Sequence, residues 1–140
     1  MNNFKPYLIR ALYEWCNDNL LTPYIRVYVN EFTQVPKQYV VEEKIVLNIG
    51  STASKDLIID NNFVSFYARF SGIEQKILIP VGHIISFYAK ENGQGMNFEV
   101  EIYTSKNAKN NNDNNLKNYS NDSDKNKKVN HLKIVKNNLL

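Results

Sequence analysis

Apolar residues near the start of the chain recur with the spacing of an amphipathic helix. Pro6 suits the first turn, where its missing N–H is not needed, and Thr22-Pro23 blocks continuation. A helix of this kind covers a sheet, pairs with its copy in a dimer, or does both. The apolar stripe consists of Leu8, Ala11, Leu12, Trp15 and Cys16.

After Pro23 the apolar period changes to two, which is typical of half-buried strands. Residues 42–43, 61–62 and 71–72 predict short hairpin turns, since Asn and Gly tolerate positive φ. One helix followed by short strands predicts a mainly β, α+β fold with two small antiparallel sheets, arranged as a partly closed barrel. The seven predicted strands are Tyr24–Val29, Gln38–Val41, Lys44–Ile49, Leu57–Asp60, Phe63–Phe70, Gln75–Pro80 and Ile84–Ala89.

Composition changes sharply near residue 106. From Lys106 to His131 there are ten Asn, six Lys and three Asp against four apolar residues, too little apolar surface to offset the entropy of ordering. The last residues then become apolar and basic again. We therefore predict a folded domain over 1–105, a flexible Asn/Lys-rich linker over 106–131 and a short docking tail over 132–140.

The formal charge divides at the same boundary. Residues 1–105 carry nine Lys and Arg against eleven Asp and Glu, whereas residues 106–140 carry eight Lys against three Asp. The net charge of +3 is thus a domain near −2 and a tail near +5. Binding to nucleic acid is expected to place basic residues on the folded domain, so this division argues against a nucleic-acid partner.

The residues offer little catalytic chemistry. His83 and His131 are the only histidines, and with Cys16 they do not have the spacing of a zinc site. Cys16 lies within an apolar helix, where packing is the simpler explanation. Gly93-Gln-Gly95 is too short for a phosphate-binding loop and predicts a turn. We expect no enzymatic activity, no metal and no cofactor.

Cellular location is constrained by what the sequence lacks. No apolar run approaches the roughly 20 residues of a membrane span. The start, Met1–Pro6, has no secretory signal pattern, and one cysteine allows no intramolecular disulfide. We expect a cytoplasmic protein without a membrane partner.

Several motifs in the first 105 residues resemble the stringent starvation protein B (SspB) family, in order and with few gaps. This resemblance implies a bacterial adaptor that delivers ssrA-tagged polypeptides, the products of ribosome rescue, to the AAA+ protease ClpXP. It also implies an Sm-like arrangement of two small sheets and a homodimer built by the helix, through Leu8, Ala11, Leu12 and Trp15. The matching segments are Pro6-Tyr-Leu-Ile-Arg-Ala-Leu-Tyr-Glu-Trp15, Asp18-Asn-Leu-Leu-Thr-Pro23, Gln34-Val-Pro36, Lys44-Ile-Val-Leu-Asn-Ile49, Phe66-Tyr-Ala-Arg-Phe70, Gly72-Ile73 and Tyr88-Ala-Lys-Glu-Asn-Gly-Gln-Gly95.

The resemblance also assigns binding residues. Arg69 is a candidate partner for acidic or amide groups of the tag. Strand alternation places Tyr67 and Arg69 on one face of the strand. The opposite face carries Phe66, Ala68 and Phe70. Which of the two faces lines the groove stays open. The implied tag-binding residues are Asn48, Ile49, Gly50, Phe66, Tyr67, Ala68, Arg69, Phe70, Ser71, Gly72 and Ile73. The implied contacts with the N-terminal zinc domain of ClpX are Leu132, Lys133, Ile134, Val135 and Lys136.

Two other interpretations remain. Sm-like barrels often bind RNA, so an RNA-binding module with a basic tail is the main alternative. A purely structural dimer, in which the last ten residues have no partner, is the other.

Overall fold

The computed structural model describes residues 3–108. One helix, α1 (Lys5–Asp18), precedes all the strands. Short 3-10 helices lie at Lys37–Tyr39 and Val81–His83. The strands are β1 (Pro23–Tyr28), β2 (Lys44–Asn48), β3 (Lys55–Ile59), β4 (Phe63–Phe70), β5 (Ile73–Pro80), β6 (Ile84–Ala89) and β7 (Gly95–Asn97).

The strands form two antiparallel sheets, which confirms the predicted fold class. A four-stranded sheet has the order β2-β1-β6-β7, and a three-stranded sheet has the order β3-β4-β5. The two sheets do not close into a barrel within the described residues. The core is built from alternating inward side chains, among them Ile25, Val27, Ile45, Leu47, Val64, Phe66, Ile77, Ile79 and Phe87.

The helix buries a different stripe from the one that the spacing predicted. Ile9, Tyr13 and Cys16 are buried in the core, whereas Leu12 and Trp15 are only partly buried against it. Ala11 is exposed. The helix therefore covers the sheets with one stripe, and pairing with a second copy through the neighbouring stripe stays a prediction.

The predicted strands were wrong in two places. Gln38–Val41 is not a strand: residues 37–39 form a 3-10 helix, and Val41 makes only an isolated bridge to Lys44. The predicted turn is present at Gly93, which has a φ of 70°, but Gly95 begins a strand that was missed, β7, which pairs with β6. Gly95 permits this pairing because a Cβ there would lie 1.9 Å from the carbonyl oxygen of Phe87.

The hairpin between β4 and β5 turns through Ser71 and Gly72, as predicted. Both residues have positive φ, at 53° and 80°, which matches the favoured two-residue hairpin geometry. The register is continuous along the hairpin, from Phe70 opposite Ile73 to Phe63 opposite Pro80. This hairpin is the longest continuous pairing of the three-stranded sheet, and it carries most of the predicted tag-binding residues.

The first compact unit ends at Ile102. Of the second unit, the described part contains one helical turn at 105–108, begun by hydrogen bonds from Thr104 to the Asn107 side chain. The predicted linker beyond residue 108 and the predicted docking tail at 132–140 lie outside the described residues. Within residues 3–108, no helix has the length and apolar character needed to cross a membrane.

Candidate peptide-binding site

Strand β4 lies at the centre of the three-stranded sheet, and its two faces differ. Phe66 is buried in the core, and Ala68 and Phe70 pack against the core from the same face. Tyr67 is half-buried and Arg69 is exposed on the opposite face. Of the two predicted faces, the one with Phe66 is therefore the core face, and the Tyr67 face is open.

A pocket of about 410 Å³ opens beside this strand. It joins the loop before β3 to the end of the β4–β5 hairpin. Its chemistry is mixed, with two cationic side chains, one carboxylate, one phenol and small residues between them. The lining residues are Thr52, Ala53, Lys55, Tyr67, Ala68, Arg69 and Glu74.

The loop on one side of the pocket is held by Gly50. Its carbonyl oxygen accepts hydrogen bonds from the N–H groups of Ala53 and Ser54, at 3.0 and 2.9 Å, and from the Ser54 hydroxyl at 2.9 Å. Its own N–H donates to Oδ1 of Asn48 at 2.8 Å. These bonds fix the short turn that brings Thr52 and Ala53 to the pocket.

The tip of the hairpin carries an apolar cluster. The ring of Tyr39 lies 5.4 Å from that of Phe70, and its hydroxyl is 2.9 Å from the Ser71 hydroxyl. Ile73, which pairs with Phe70, is 64% exposed. Tyr39, Phe70 and Ile73 thus form an accessible apolar surface at the end of the sheet, which we call the tip cluster.

The outer edge of β5 is only half covered. Gln34 exchanges two backbone hydrogen bonds with Leu78, at 2.9 and 3.0 Å, and its side chain donates to the carbonyl of Lys76 at 3.2 Å. Because alternate residues of a strand face the same edge, the main-chain groups of Glu74 face outward as well. Within residues 3–108 nothing pairs with them, so the edge is open beside the pocket.

Cations outnumber carboxylates on the open face. Lys55, Tyr67 and Lys76 are cross-strand neighbours, and the Lys76 Nζ lies 5.4 Å from the centre of the Tyr67 ring. Arg69 pairs in register with Glu74. A surface with this balance favours a ligand that carries carboxylates and has a free main chain.

The structure brings together only part of the predicted site. Tyr67, Ala68 and Arg69 line the pocket, while Phe70, Ser71 and Ile73 lie at or beside the tip cluster. Asn48 and Gly50 support the loop. Ile49 and Phe66 are 0% and 1% exposed, so their side chains support the site from beneath it. Gly72 shapes the turn.

Sequence reasoning missed five residues that the structure places at the site. Lys55 and Glu74 line the pocket from the strands on either side of β4. A prediction of the hairpin register would have placed Glu74 opposite Arg69. Tyr39 was assigned to a strand and so was not considered near Phe70. Thr52 and Ala53 reach the pocket only through the loop geometry, which leaves no signal in the sequence.

The titratable groups with the largest pKa shifts lie in the interior. Burial raises the pKa of the Cys16 thiol to about 11 and lowers the pKa of His83 to about 4. Cys16 is therefore a thiol rather than a nucleophilic thiolate at neutral pH. Over residues 3–108, no three His, Cys, Asp or Glu side chains are grouped in a way that could hold a metal ion.

The fold and this surface define a class: a small two-sheet domain with an open strand edge beside a charged pocket. A model of the family described as stringent starvation protein B matches residues 3–136, and the chain belongs to that family. The stringent starvation protein B homolog of Haemophilus influenzae is 43% identical over 98 residues, which is 69% of this chain and 65% of that relative. The match thus spans less than two thirds of the relative's length.

Proposed function

We propose that the protein is an adaptor that binds ssrA-tagged polypeptides and tethers them to ClpXP. The proposal rests on membership in the stringent starvation protein B family and on the surface around Glu74. Glu74 lines the pocket with its side chain and presents its main chain at the open edge of β5. This combination of a pocket and an open strand edge at one residue carries the proposal, because an extended peptide needs side-chain pockets as well as main-chain hydrogen bonds.

The main chain of the tag would add to the β5 edge at Glu74, where hydrogen bonds are independent of the tag's sequence. Its side chains would enter the pocket, with Arg69 and Lys55 facing acidic groups. The tip cluster would take an apolar residue of the tag. Selectivity would then come from the pocket and the tip cluster rather than from the edge.

Delivery would depend on residues outside the described part of the chain. By the family resemblance, residues 132–136 dock on the N-terminal zinc domain of ClpX. A random coil of the linker's length, about 26 residues, has a root-mean-square span of roughly 25–30 Å and a maximum of roughly 85 Å. A homodimer would present two tags and two tails, which raises the effective affinity of weak tail contacts.

The test is fluorescence anisotropy of a labelled ssrA-tag peptide titrated with the full chain, against a scrambled peptide of the same composition. We expect saturable binding of the tag peptide at micromolar or lower concentrations and much weaker binding of the scrambled one. Arg69→Glu should weaken binding, whereas Lys106→Glu, an exposed change of the same charge, should not. Equal binding of both peptides would refute the proposed recognition.

A further inference from the structure

The outer face of the four-stranded sheet has an unusual composition for a domain of net negative charge. Because Ile25 and Val27 point into the core, the intervening residues of β1 point outward. Three tyrosines and two cations occupy outward positions: Tyr24, Arg26 and Tyr28 on β1, Lys44 on β2 and Tyr88 on β6. We call these five residues the tyrosine face. No outward position of these four described strands holds Asp or Glu.

The aromatic rings of the face are grouped. Tyr24 and Tyr88 are cross-strand partners, with ring centroids 5.9 Å apart and planes inclined by 54°. The Nζ of Lys90 lies 5.9 Å from the Tyr24 ring. Tyr28 is fixed at one end of the face by an edge contact with the His83 ring, at 5.2 Å. Packed tyrosines of this kind are rigid and half-exposed, which lowers the entropic cost of placing a planar ligand on them.

The cations of the tyrosine face are not neutralised by neighbouring carboxylates. Arg26 is exposed, and neither Arg26 nor Lys44 has a carboxylate partner in the part of the chain that the structure describes. Glu91, next to Lys90, is engaged elsewhere: its two carboxylate oxygens accept hydrogen bonds from the N–H and hydroxyl of Thr22, at 2.8 and 2.6 Å. The net charge near −2 of residues 1–105 is therefore distributed unevenly, and this face is locally positive.

We propose that the tyrosine face binds single-stranded nucleic acid. Bases would stack on Tyr24 and Tyr88, and Arg26, Lys44 and Lys90 would contact phosphates, the combination by which sheet surfaces hold unpaired strands. A duplex keeps its bases stacked inside and cannot use the tyrosines. An anionic peptide would use the cations and leave the rings without a role. The face belongs to a different sheet from the pocket, so this binding is separate from capture of a tag.

The test uses the full chain and compares variants of the tyrosine face. This comparison is needed because the eight Lys after residue 105 attract phosphate independently of the face. Labelled 12-mers of oligouridylate and oligothymidylate are titrated at several salt concentrations. Tyr24→Leu and Tyr88→Leu keep apolar cover on the sheet and remove the rings. Tyr7→Leu, an exposed tyrosine on α1, is the aromatic control, and Lys37→Gln is the control for Arg26→Gln.

We expect each of the two leucine variants to weaken binding by roughly tenfold, since stacking of one base on an aromatic ring is worth about 1–3 kcal/mol. Arg26→Gln should reduce the slope of log affinity against log salt by about 0.7, the value for one phosphate contact to a single strand. Tyr7→Leu and Lys37→Gln should bind as the wild type does. Thermal unfolding of each variant shows that it is folded, and Arg26→Gln, at an exposed site, tests the face even where a tyrosine change does not fold.

Three results would overturn the proposal. Wild-type affinity in all the face variants would assign binding to the lysines of the tail. Displacement of the oligonucleotide by an equal charge of polyglutamate would identify a general anion surface. A change of oligomeric state in the leucine variants, measured by sedimentation, would show that the face is covered by a second copy of the chain.

Discussion

The Lys5 ammonium donates a hydrogen bond to the carbonyl oxygen of Glu99, 2.9 Å away, and so joins the start of the helix to the segment that follows β7. It also donates to the carbonyl of Gly82 at 3.1 Å. Burial lowers the pKa of Lys5 to about 8, against a smaller opposing effect of Glu101. One lysine therefore holds three separate parts of the chain together, although it carries no signal of this role in the sequence.

We expect Lys5→Met to lower the free energy of unfolding by roughly 1–2 kcal/mol, the cost of losing hydrogen bonds from a charged donor to carbonyls. Methionine keeps most of the apolar stem that packs near Phe98, so the change isolates the ammonium. The measurement is urea unfolding. Lys37→Met, at an exposed site, should change stability little, and a similar loss in both variants would contradict the structural role of Lys5.

Acid should destabilise the fold through His83. Burial holds the pKa of its ring near 4, below 6.5, so the unfolded chain takes up a proton before the folded chain does. The stabilisation is complete above pH 6.5 and is lost as the pH falls towards 4, by up to about 3 kcal/mol. Unfolding measured from pH 7 to 4 should show this slope, and His83→Gln should remove it. Parallel pH profiles for the two proteins would exclude His83 as the cause.

The predicted tail should be separable from tag binding. We expect deletion of residues 130–140 to leave the affinity for the ssrA-tag peptide unchanged and to abolish enhanced degradation of a tagged substrate by ClpXP. Loss of tag binding in the deletion protein would contradict the modular organisation.

A single substitution tests the docking motif more sharply. Leu132→Asp should remove enhanced degradation, because a buried carboxylate in an apolar docking pocket is costly by several kcal/mol unless it is paired. Leu116→Asp, in the Asn-rich stretch, is the matched control and should deliver substrate normally. Normal delivery by Leu132→Asp would show that the motif is assigned wrongly.

The helix stripe predicts the oligomeric state. Ala11 is exposed between the partly buried Leu8 and Leu12, so Ala11→Arg should disrupt pairing of two helices without disturbing the core. Sedimentation equilibrium should then report a dimer for the wild type and a monomer for the variant. Gln38→Arg, at an exposed position on the 3-10 helix, should remain dimeric. A monomeric wild type would rule out the predicted dimer.

The fold was predictable where local pattern and tertiary packing agree. Alternation in Phe63–Phe70 and the turn residues Ser71-Gly72 gave the central hairpin correctly. Residues 38–41 failed because Pro36 and the following 3-10 turn outweigh strand propensity. Strand β7 was missed because its only strong signal, Gly95, reports close packing against Phe87 rather than a turn.

The residues of the candidate sites were likewise predictable only where the signal is local in the sequence. Tyr67 and Arg69 could be placed together because strand alternation is local. The contact between Tyr39 and Phe70 joins residues far apart in sequence and could not be predicted. Net charge does not report where charges lie, and the sum over residues 1–105 conceals an outer face on which the described strands place no carboxylate.

The bridge between Gln34 and Leu78 limits how much of the β5 edge is open. An uncovered strand of eight residues would be a template for sheet-to-sheet association and fibre growth. Gln34 occupies one half of that strand, and the charged residues Glu74 and Lys76 flank the other. The remaining opening suits a few residues of a guest chain, and its short length disfavours pairing with another copy of the same edge. The backbone that the protein exposes at this edge is thus limited to a short segment, which lowers its tendency to seed sheet extension.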